Sequence, residues 1–246
     1  MTVSEFSDGF TTLLNSYYLQ SEFGDQESKV TLTLDEYEKS FYLTKAQEDL
    51  VISLYTGRGL TGTSFEETEE LRRYLANLVK EYKPQIITNS SNKPIGIEGS
   101  NHQFFTLPPD LWFITYESVD TSGDKTCDNK VGMEVIPVTQ DEYHTIKKNP
   151  FRGANSRRAL RLDLADGVVE IICKYNVTSY YIRYIKKVKP IILEELPDYV
   201  SLSSTSSTSP NRNVSPCELH EALHQKILEL AVRMALASAA VGNKKE

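Results

Sequence analysis

The alternation of apolar and polar residues divides the chain into helical and extended stretches. Apolar residues recur at helical spacing within residues 4–20 and 64–80, and the pattern turns strand-like from Leu111 onward. A final helical pattern runs over 216–240. These patterns predict an α+β fold, in which N-terminal helices and a long C-terminal helix form a helical bundle packed with an antiparallel β-meander or β-sandwich region.

The predicted elements group into four regions. An N-terminal helical region covers 1–84, and a β-rich region with one short helix covers 85–200. A Ser/Thr-rich stretch at 201–214 has the composition of a flexible linker. The last region, 215–246, is the C-terminal helix, which we expect to return to the bundle.

Capping signals set the predicted starts of several helices. Asp35 and Glu38 have capping-box spacing, which predicts a short helix over 35–42. Ser215 as N-cap and Pro216 at the first helical position predict the start of the C-terminal helix. The capping-box spacing recurs in three further pairs, each predicted to open a helix: Thr44 with Gln47, Ser64 with Glu67, and Thr139 with Glu142.

A β-hairpin is predicted in the second half of the chain. Two strand-like runs, 158–164 and 168–175, flank the turn dipeptide Asp166-Gly167. A third run at 179–188 follows directly, so we expect a three-stranded β-meander.

Composition limits the classes of function. The net charge of −7 and the pI of about 5.3 argue against a nucleic-acid binder with a broad basic surface. The cysteines Cys127, Cys173 and Cys217 are widely spaced and odd in number, which favours reduced thiols in a cytosolic setting over a disulfide framework. We expect no signal peptide and no membrane span, because no apolar run approaches the required length.

The pentapeptide His220-Glu221-Ala222-Leu223-His224 matches the zinc-hydrolase pattern, in which two histidines on one helical face bind Zn²⁺ and the glutamate is the general base. A catalytic zinc also needs a third protein ligand, and the sequence after His224 offers no histidine. We therefore expect a packing helix, with the histidines at the edge of its packed face, and no catalytic, cofactor-binding or metal-ligating residue. A zinc hydrolase is the alternative.

A small basic cluster lies near the end of the third strand. It comprises Arg183, Lys186, Lys187 and Lys189. It has three interpretations: a solvated strand end, an inter-subunit patch of salt bridges, or a DNA contact.

Seven segments of the chain together carry a family resemblance: Leu34–Ser40, Thr68–Leu75, Asp141–His144, Asn149–Gly153, Arg157–Asp163, Glu195–Pro197 and Cys217–Ala222. In this order they resemble the neck ring proteins of crAss-like bacteriophages, tailed viruses of gut Bacteroidales. More loosely, they are similar to the head–tail adaptor proteins of short-tailed phages. The Ser-rich linker here splits the leucine-proline … histidine-glutamate-alanine-isoleucine pattern of those adaptors.

The resemblance implies a structural virion protein without enzymatic activity. It implies a homo-oligomeric ring, of twelve copies to match portal symmetry, in the head–tail connector below the portal. The portal and adjacent neck or tail ring proteins would be its partners, and genomic DNA would pass through the channel without sequence-specific binding. Such a protein is made in the bacterial host cytoplasm and ends in the neck or tail of the virion.

The residues themselves suggest where copies meet. The turn after the short helix combines a proline, an aromatic ring and arginines, whose guanidinium groups can bind carboxylates of a neighbour. An ordinary surface turn with solvated arginines is the alternative. The candidate inter-subunit contacts are Pro150, Phe151, Arg152, Gly153, Arg157 and Arg158.

Overall fold

The structure is a computed structural model that describes residues 1–20, 33–57, 68–88, 101–123, 130–195 and 213–242. The helices of this part are α1 (Val3–Gln20), α2 (Glu36–Thr56), α3 (Glu69–Leu75), α4 (Tyr143–Lys147) and α5 (His224–Gly242). The strands are β1 (Val79–Tyr82), β2 (Gln85–Ile86), β3 (Asn101–Thr106), β4 (Leu111–Ser122), β5 (Lys130–Pro137), β6 (Arg158–Asp163), β7 (Val168–Cys173) and β8 (Asn176–Lys186).

This mixture of helices and strands confirms the α+β class. The chain divides into two compact units: unit 1 joins Met1–Leu78 to Val188–Glu246, and unit 2 is Val79–Lys187. The division into four regions stays a prediction, and most of the proposed linker lies outside the described residues. Within those residues, no helix combines the length and apolarity that a bilayer span requires.

In unit 1, helices α1, α2 and α5 pack against one another. Phe6, Phe10 and Leu14 line the buried side of α1 at helical spacing. Gly9 lies at the crossing of α1 with α5, where an added Cβ would meet Leu228 Cδ1 at 3.1 Å. The absent side chain therefore lets the two helices approach closely.

Helix α2 begins as predicted but is longer than predicted. Asp35 and Glu38 form the expected capping box, with both reciprocal hydrogen bonds present. The predicted break before Thr44 is wrong, because one helix runs from Glu36 to Thr56. Thr44 and Gln47 are buried on this helix instead of opening a new one.

The buried polar residues of α2 bind an extended segment from the other end of unit 1. The Ser40 hydroxyl accepts the Leu193 backbone N–H at 3.0 Å, and the Thr44 hydroxyl accepts that of Ile191 at 3.1 Å. The Gln47 amide donates to the Lys189 carbonyl at 2.9 Å. Spaced one turn apart, the three side chains satisfy backbone groups that burial would otherwise leave unpaired.

The C-terminal helix starts later than predicted. Ser215 is not its N-cap, because its backbone pairs with Ile192 through two hydrogen bonds of 3.0 Å. A 3-10 turn covers Glu221–Leu223, and α5 follows from His224. His220 is the N-cap of the turn, and its side chain accepts the Ala222 N–H at 3.2 Å.

The predicted helix over 64–80 is shorter in the structure. Helix α3 has Thr68 as its N-cap, a 3-10 turn follows it, and Val79 already belongs to β1. The proposed start at Ser64 lies outside the described residues. The helix predicted after Thr139 is present as α4, although Glu142 makes no side-chain capping bond.

Unit 2 is built on an eight-stranded sheet with the order β1-β8-β4-β5-β6-β7-β3-β2. The hairpin of β6 and β7 is confirmed, and its turn places Asp166 and Gly167 at φ of 58° and 68°. The predicted meander is wrong, because β8 pairs with β4 and β1 instead of with β7. The sheet is also not wholly antiparallel, since β5 and β6 run parallel.

The sheet curls. Its two outermost strands, β1 and β2, are separated in sequence only by Lys83 and Pro84. Three Cα–Cα steps span at most about 11 Å, so the two edges must approach each other. The rings of Phe105 and Tyr180, on β3 and β8, meet across the concave face with centroids 5.2 Å apart. The strand-like pattern was predicted from Leu111 onward, but β1, β2 and β3 already precede that residue.

The side chains on the two faces of β6 are buried in two different hydrophobic clusters. Ala159 faces the concave side, with buried residues of the surrounding strands. Leu160 and Leu162 face the convex side, where Tyr143 of α4 and Ile172 of β7 cover them. Because alternate residues of one strand are buried on opposite faces, α4 is fixed to the outside of the sheet.

Candidate inter-subunit site

The turn after α4 is held by hydrogen bonds from its own side chains. The Asn149 carboxamide oxygen accepts the backbone N–H groups of Phe151 at 2.9 Å and Arg152 at 3.3 Å. The Asn155 carboxamide oxygen accepts the Arg157 N–H at 2.8 Å. Such local bonds fix the backbone of an exposed turn in one conformation. We call residues 149–158 the 150s turn.

Gly153 closes this turn by close approach of the backbone. Its N–H donates to the Asn149 carbonyl at 2.8 Å. A Cβ at this position would lie 3.0 Å from that carbonyl oxygen and 3.3 Å from the Ile146 carbonyl oxygen. Both neighbours are backbone atoms, so a larger residue would displace the turn.

The 150s turn presents an aromatic ring and two cations to solvent. Phe151 is 85% exposed. Arg152 and Arg157 are exposed too, and within the described part of the chain neither forms an ion pair with an acidic side chain. Aromatic and arginine side chains are enriched at the energetic centres of protein interfaces.

The remaining candidates have supporting positions. Arg158 is half-buried, donates to the Phe151 carbonyl at 3.2 Å and lies 3.7 Å from Glu134. Gly153 is buried and Pro150 is exposed. The structure therefore brings the predicted residues together on one turn, with Phe151, Arg152 and Arg157 outermost; their role between subunits stays a prediction.

An open groove beside the turn was not predicted from the sequence. It has a volume of about 530 Å³ and combines an apolar floor with two lysines. Its lining includes Tyr143, Lys147, Ala154, Leu160, Ile172 and Lys174. Ala154 belongs to the 150s turn, so the groove extends the cationic surface around it.

A buried ionic cluster on the concave side of unit 2 was also missed. Arg161 of β6 binds Glu117 of β4 across the intervening strand, and the Tyr180 hydroxyl donates to the other Glu117 oxygen at 2.6 Å. Burial lowers the pKa of Arg161, but Glu117, Tyr180 and Asp163 together outweigh burial and the net pKa is raised. Burial, and then Glu117, raise the pKa of Tyr180. Arg161 therefore stays protonated and Tyr180 keeps its hydroxyl proton, so both can donate to the Glu117 carboxylate.

The two histidines of the zinc-like pattern do not share a helix. His220 precedes the 3-10 turn, whereas His224 is the first residue of α5 and is only 5% exposed. His224 Nε2 lies 3.1 Å from the Leu219 carbonyl oxygen, and Nδ1 lies 2.9 Å from the Met1 nitrogen. The expectation that both residues lie at the edge of one packed face is wrong. No group of three His, Cys, Asp or Glu side chains suited to a metal occurs among the residues described.

Residues of the predicted basic cluster have acidic partners. Arg183 Nε lies 3.0 Å from Glu81, and the guanidinium is within 6 Å of the Tyr116 and Tyr181 ring centroids. Lys189 lies 3.3 Å from Glu218. The positive charges are thus partly compensated, which disfavours the interpretation as a DNA contact.

Comparison with known proteins gives one family and two relatives of the chain. The profile of the phage tail ring protein 3/4 family matches residues 1–246. "Ring protein 3" of Bacteroides phage crAss001 is 44% identical over 250 residues, covering 99% of this chain and all of that protein. "Ring protein 4/5" of the same phage is 28% identical over 244 residues, covering 97% of this chain and 93% of that protein.

These matches confirm the resemblance seen in the sequence and support a structural role in the phage virion. The chain belongs to the phage tail ring protein 3/4 family of crAss-like bacteriophages.

Proposed function

We propose that this protein is a non-enzymatic virion subunit that forms a closed homo-oligomeric ring of twelve copies in the neck, below the portal. Adjacent neck or tail ring proteins and the portal are its partners in this proposal. The observation that carries it is the family match over residues 1–246. The proposed copy number and position follow from the resemblance to neck ring proteins.

The 150s turn supports a ring interface. Closed rings use head-to-tail contacts, in which one surface of a subunit binds a different surface of the next. A preorganised projection loses little conformational entropy on binding, and its side chains can enter a recess on the neighbour. Phe151, Arg152 and Arg157 are the contacts that we propose for one of the two surfaces.

The charge distribution supports a ring that DNA passes without sequence-specific binding. The chain carries 34 acidic and 27 basic residues. An acidic surface makes few phosphate contacts, and phosphate contacts dominate non-specific binding to DNA. A channel wall rich in lysine and arginine would contradict this part of the proposal.

The proposal is tested by measuring the assembly state of the purified protein. Native mass spectrometry and electron microscopy should show a closed ring whose copy number can be counted. Phe151→Glu should weaken assembly, because a carboxylate replaces the exposed ring. Val131→Glu is the matched control, since Val131 is an apolar residue of similar exposure, 88%, outside the turn. A protein that stays monomeric at all concentrations, and absence of the protein from particles, would each refute the ring.

A further inference from the structure

Helix α2 carries an outward-facing apolar stripe in unit 1. Tyr37, Phe41 and Ile52 are 40%, 46% and 39% exposed and recur at helical spacing on one side of the helix. The opposite side is buried, with Leu43, Leu50 and their neighbours in the core. Large apolar side chains lined up on a solvent-facing helix are a typical mark of a binding surface.

The charges around this stripe are predominantly acidic. Glu38 and Asp49 are exposed beside it and Glu48 is half-buried, whereas Lys45 is the single basic residue among the exposed and half-buried positions 45–52. The stripe therefore combines two aromatic rings and an isoleucine with a net negative charge. We call it the α2 stripe.

The 150s turn has the complementary properties. It presents Phe151 together with two exposed arginines, and Lys147 and Lys174 line the groove next to it. The same asymmetry holds for the whole units. Unit 2 has 15 basic and 13 acidic residues, a net charge of +2, whereas unit 1 has 12 basic and 21 acidic residues, a net charge of −9.

A surface that binds only its own counterpart on a second copy closes a dimer and cannot build a larger ring. Two different surfaces that bind each other, such as this pair, can build one. The two surfaces differ, as a head-to-tail contact requires, and each copy carries both. Opposite charges steer the encounter and fix its register, while an aromatic anchor against aromatic rings gives contact area.

The geometry points to the α2 stripe as the acceptor of the 150s turn of the next copy. Phe151 packs between Tyr37 and Phe41, and the guanidinium groups of Arg152 and Arg157 bind the carboxylates on the stripe. This inference rests on the proposed ring and names the second of its two surfaces.

A charge-swap experiment on the full chain tests it. Variant A carries Arg152→Glu and Arg157→Glu, and variant B carries Glu48→Lys and Asp49→Lys. Alone, each variant brings like charges together at every contact, so self-association should weaken roughly tenfold per reversed contact. Mixed in equal amounts, the two should form rings in which A and B alternate, because each contact then joins opposite charges.

The outcomes separate this inference from the proposed function. If wild-type protein forms rings and the mixture recovers assembly that neither variant has alone, the α2 stripe is the acceptor. If wild type forms rings, A fails and the mixture does not recover, the turn binds elsewhere and the inference is wrong while the ring stands. A wild-type protein that forms no ring refutes both. Circular dichroism of A and B must match wild type. The control is Arg183→Glu with Glu81→Lys, which inverts an ion pair that belongs to neither surface and should assemble normally.

Discussion

Replacing Arg161 by methionine should destabilise unit 2 severely. The side chains of Arg161 and Glu117 are only 10% and 8% exposed, so the Glu117 carboxylate depends on Arg161 for a compensating charge. Arg161 also lies 2.9 Å from the more exposed Asp163. The substitution keeps the length of the side chain but leaves the Glu117 carboxylate with Tyr180 as its remaining partner in the cluster. Removing one member of a buried ion pair costs about 3–5 kcal/mol, because the other charge stays desolvated and uncompensated.

Trp112 provides the assay. It is the only tryptophan of the chain and belongs to β4, so its fluorescence reports on unit 2. Urea titrations followed by this fluorescence should show a lower midpoint, and the thermal transition should fall by roughly 6–20 °C at about 2–4 °C per kcal/mol. Arg183→Met is the control, since its ion pair with Glu81 is largely exposed; it should have a much smaller effect.

The size of the loss decides whether the members of the cluster depend on one another. A loss of stability below about 1 kcal/mol would refute that reasoning, because a buried carboxylate without its cation costs more than that.

Three other predictions concern unit 1 and the 150s turn. Gly153→Ala should displace the turn and cost about 1–3 kcal/mol, because its Cβ meets two backbone oxygens; urea unfolding and ring assembly should both respond, whereas unchanged assembly would argue against the turn as a contact. Asp35→Ala should remove the α2 capping box and cost about 1 kcal/mol in a thermal melt, with Asp35→Ser, another good N-cap, losing much less. Burial lowers the pKa of His224, so its neutral form contributes stability above the unfolded pKa of about 6.5 that is lost as the pH falls through that value toward the folded pKa. His224→Gln should flatten this part of the stability profile between pH 7.5 and 5.5, and an equal acid loss in wild type and variant would contradict it.

Local signals in the sequence predicted those features whose causes are local. The capping box of Asp35 and Glu38 and the turn at Asp166-Gly167 involve partners within three residues, and both are confirmed. The cluster of aromatic and arginine residues in the 150s turn was also recognisable, since the turn is held by its own asparagines.

The errors arose where the partner is distant along the chain. Thr44 has the spacing of a cap, but its hydroxyl instead accepts the N–H of Ile191, 147 residues away. Ser215 has the sequence context of an N-cap, but the backbone of Ile192 binds it in an extended conformation. Propensity cannot anticipate such competition, because tertiary hydrogen bonds outweigh the weak local preference.

The pairing of β8 was unpredictable for the same reason. Adjacency in sequence favoured a meander of β6, β7 and β8, whereas β8 pairs with β4 and β1. The buried cluster had no sequence signal either, because Arg161 and Glu117 read as ordinary polar residues of two strands until the curl of the sheet brings them together. The α2 stripe was not predicted either, because the predicted break before Thr44 separated Tyr37 and Phe41 from Ile52, which one continuous helix places on the same side.

The pairing of β1 with β8 has a consequence for the connectivity of the chain. Val79, the first residue of unit 2, is the register partner of Ile185, two residues before its end. The chain therefore enters and leaves unit 2 at neighbouring points, and unit 1 continues from Leu78 to Val188 across a short gap. Unit 2 is in effect a domain inserted into unit 1. If a short glycine-serine linker replaced unit 2, closing the small gap between Leu78 and Val188 would cost little loop entropy. Such an inserted domain can vary in length or sequence between related phages while unit 1 keeps its fold.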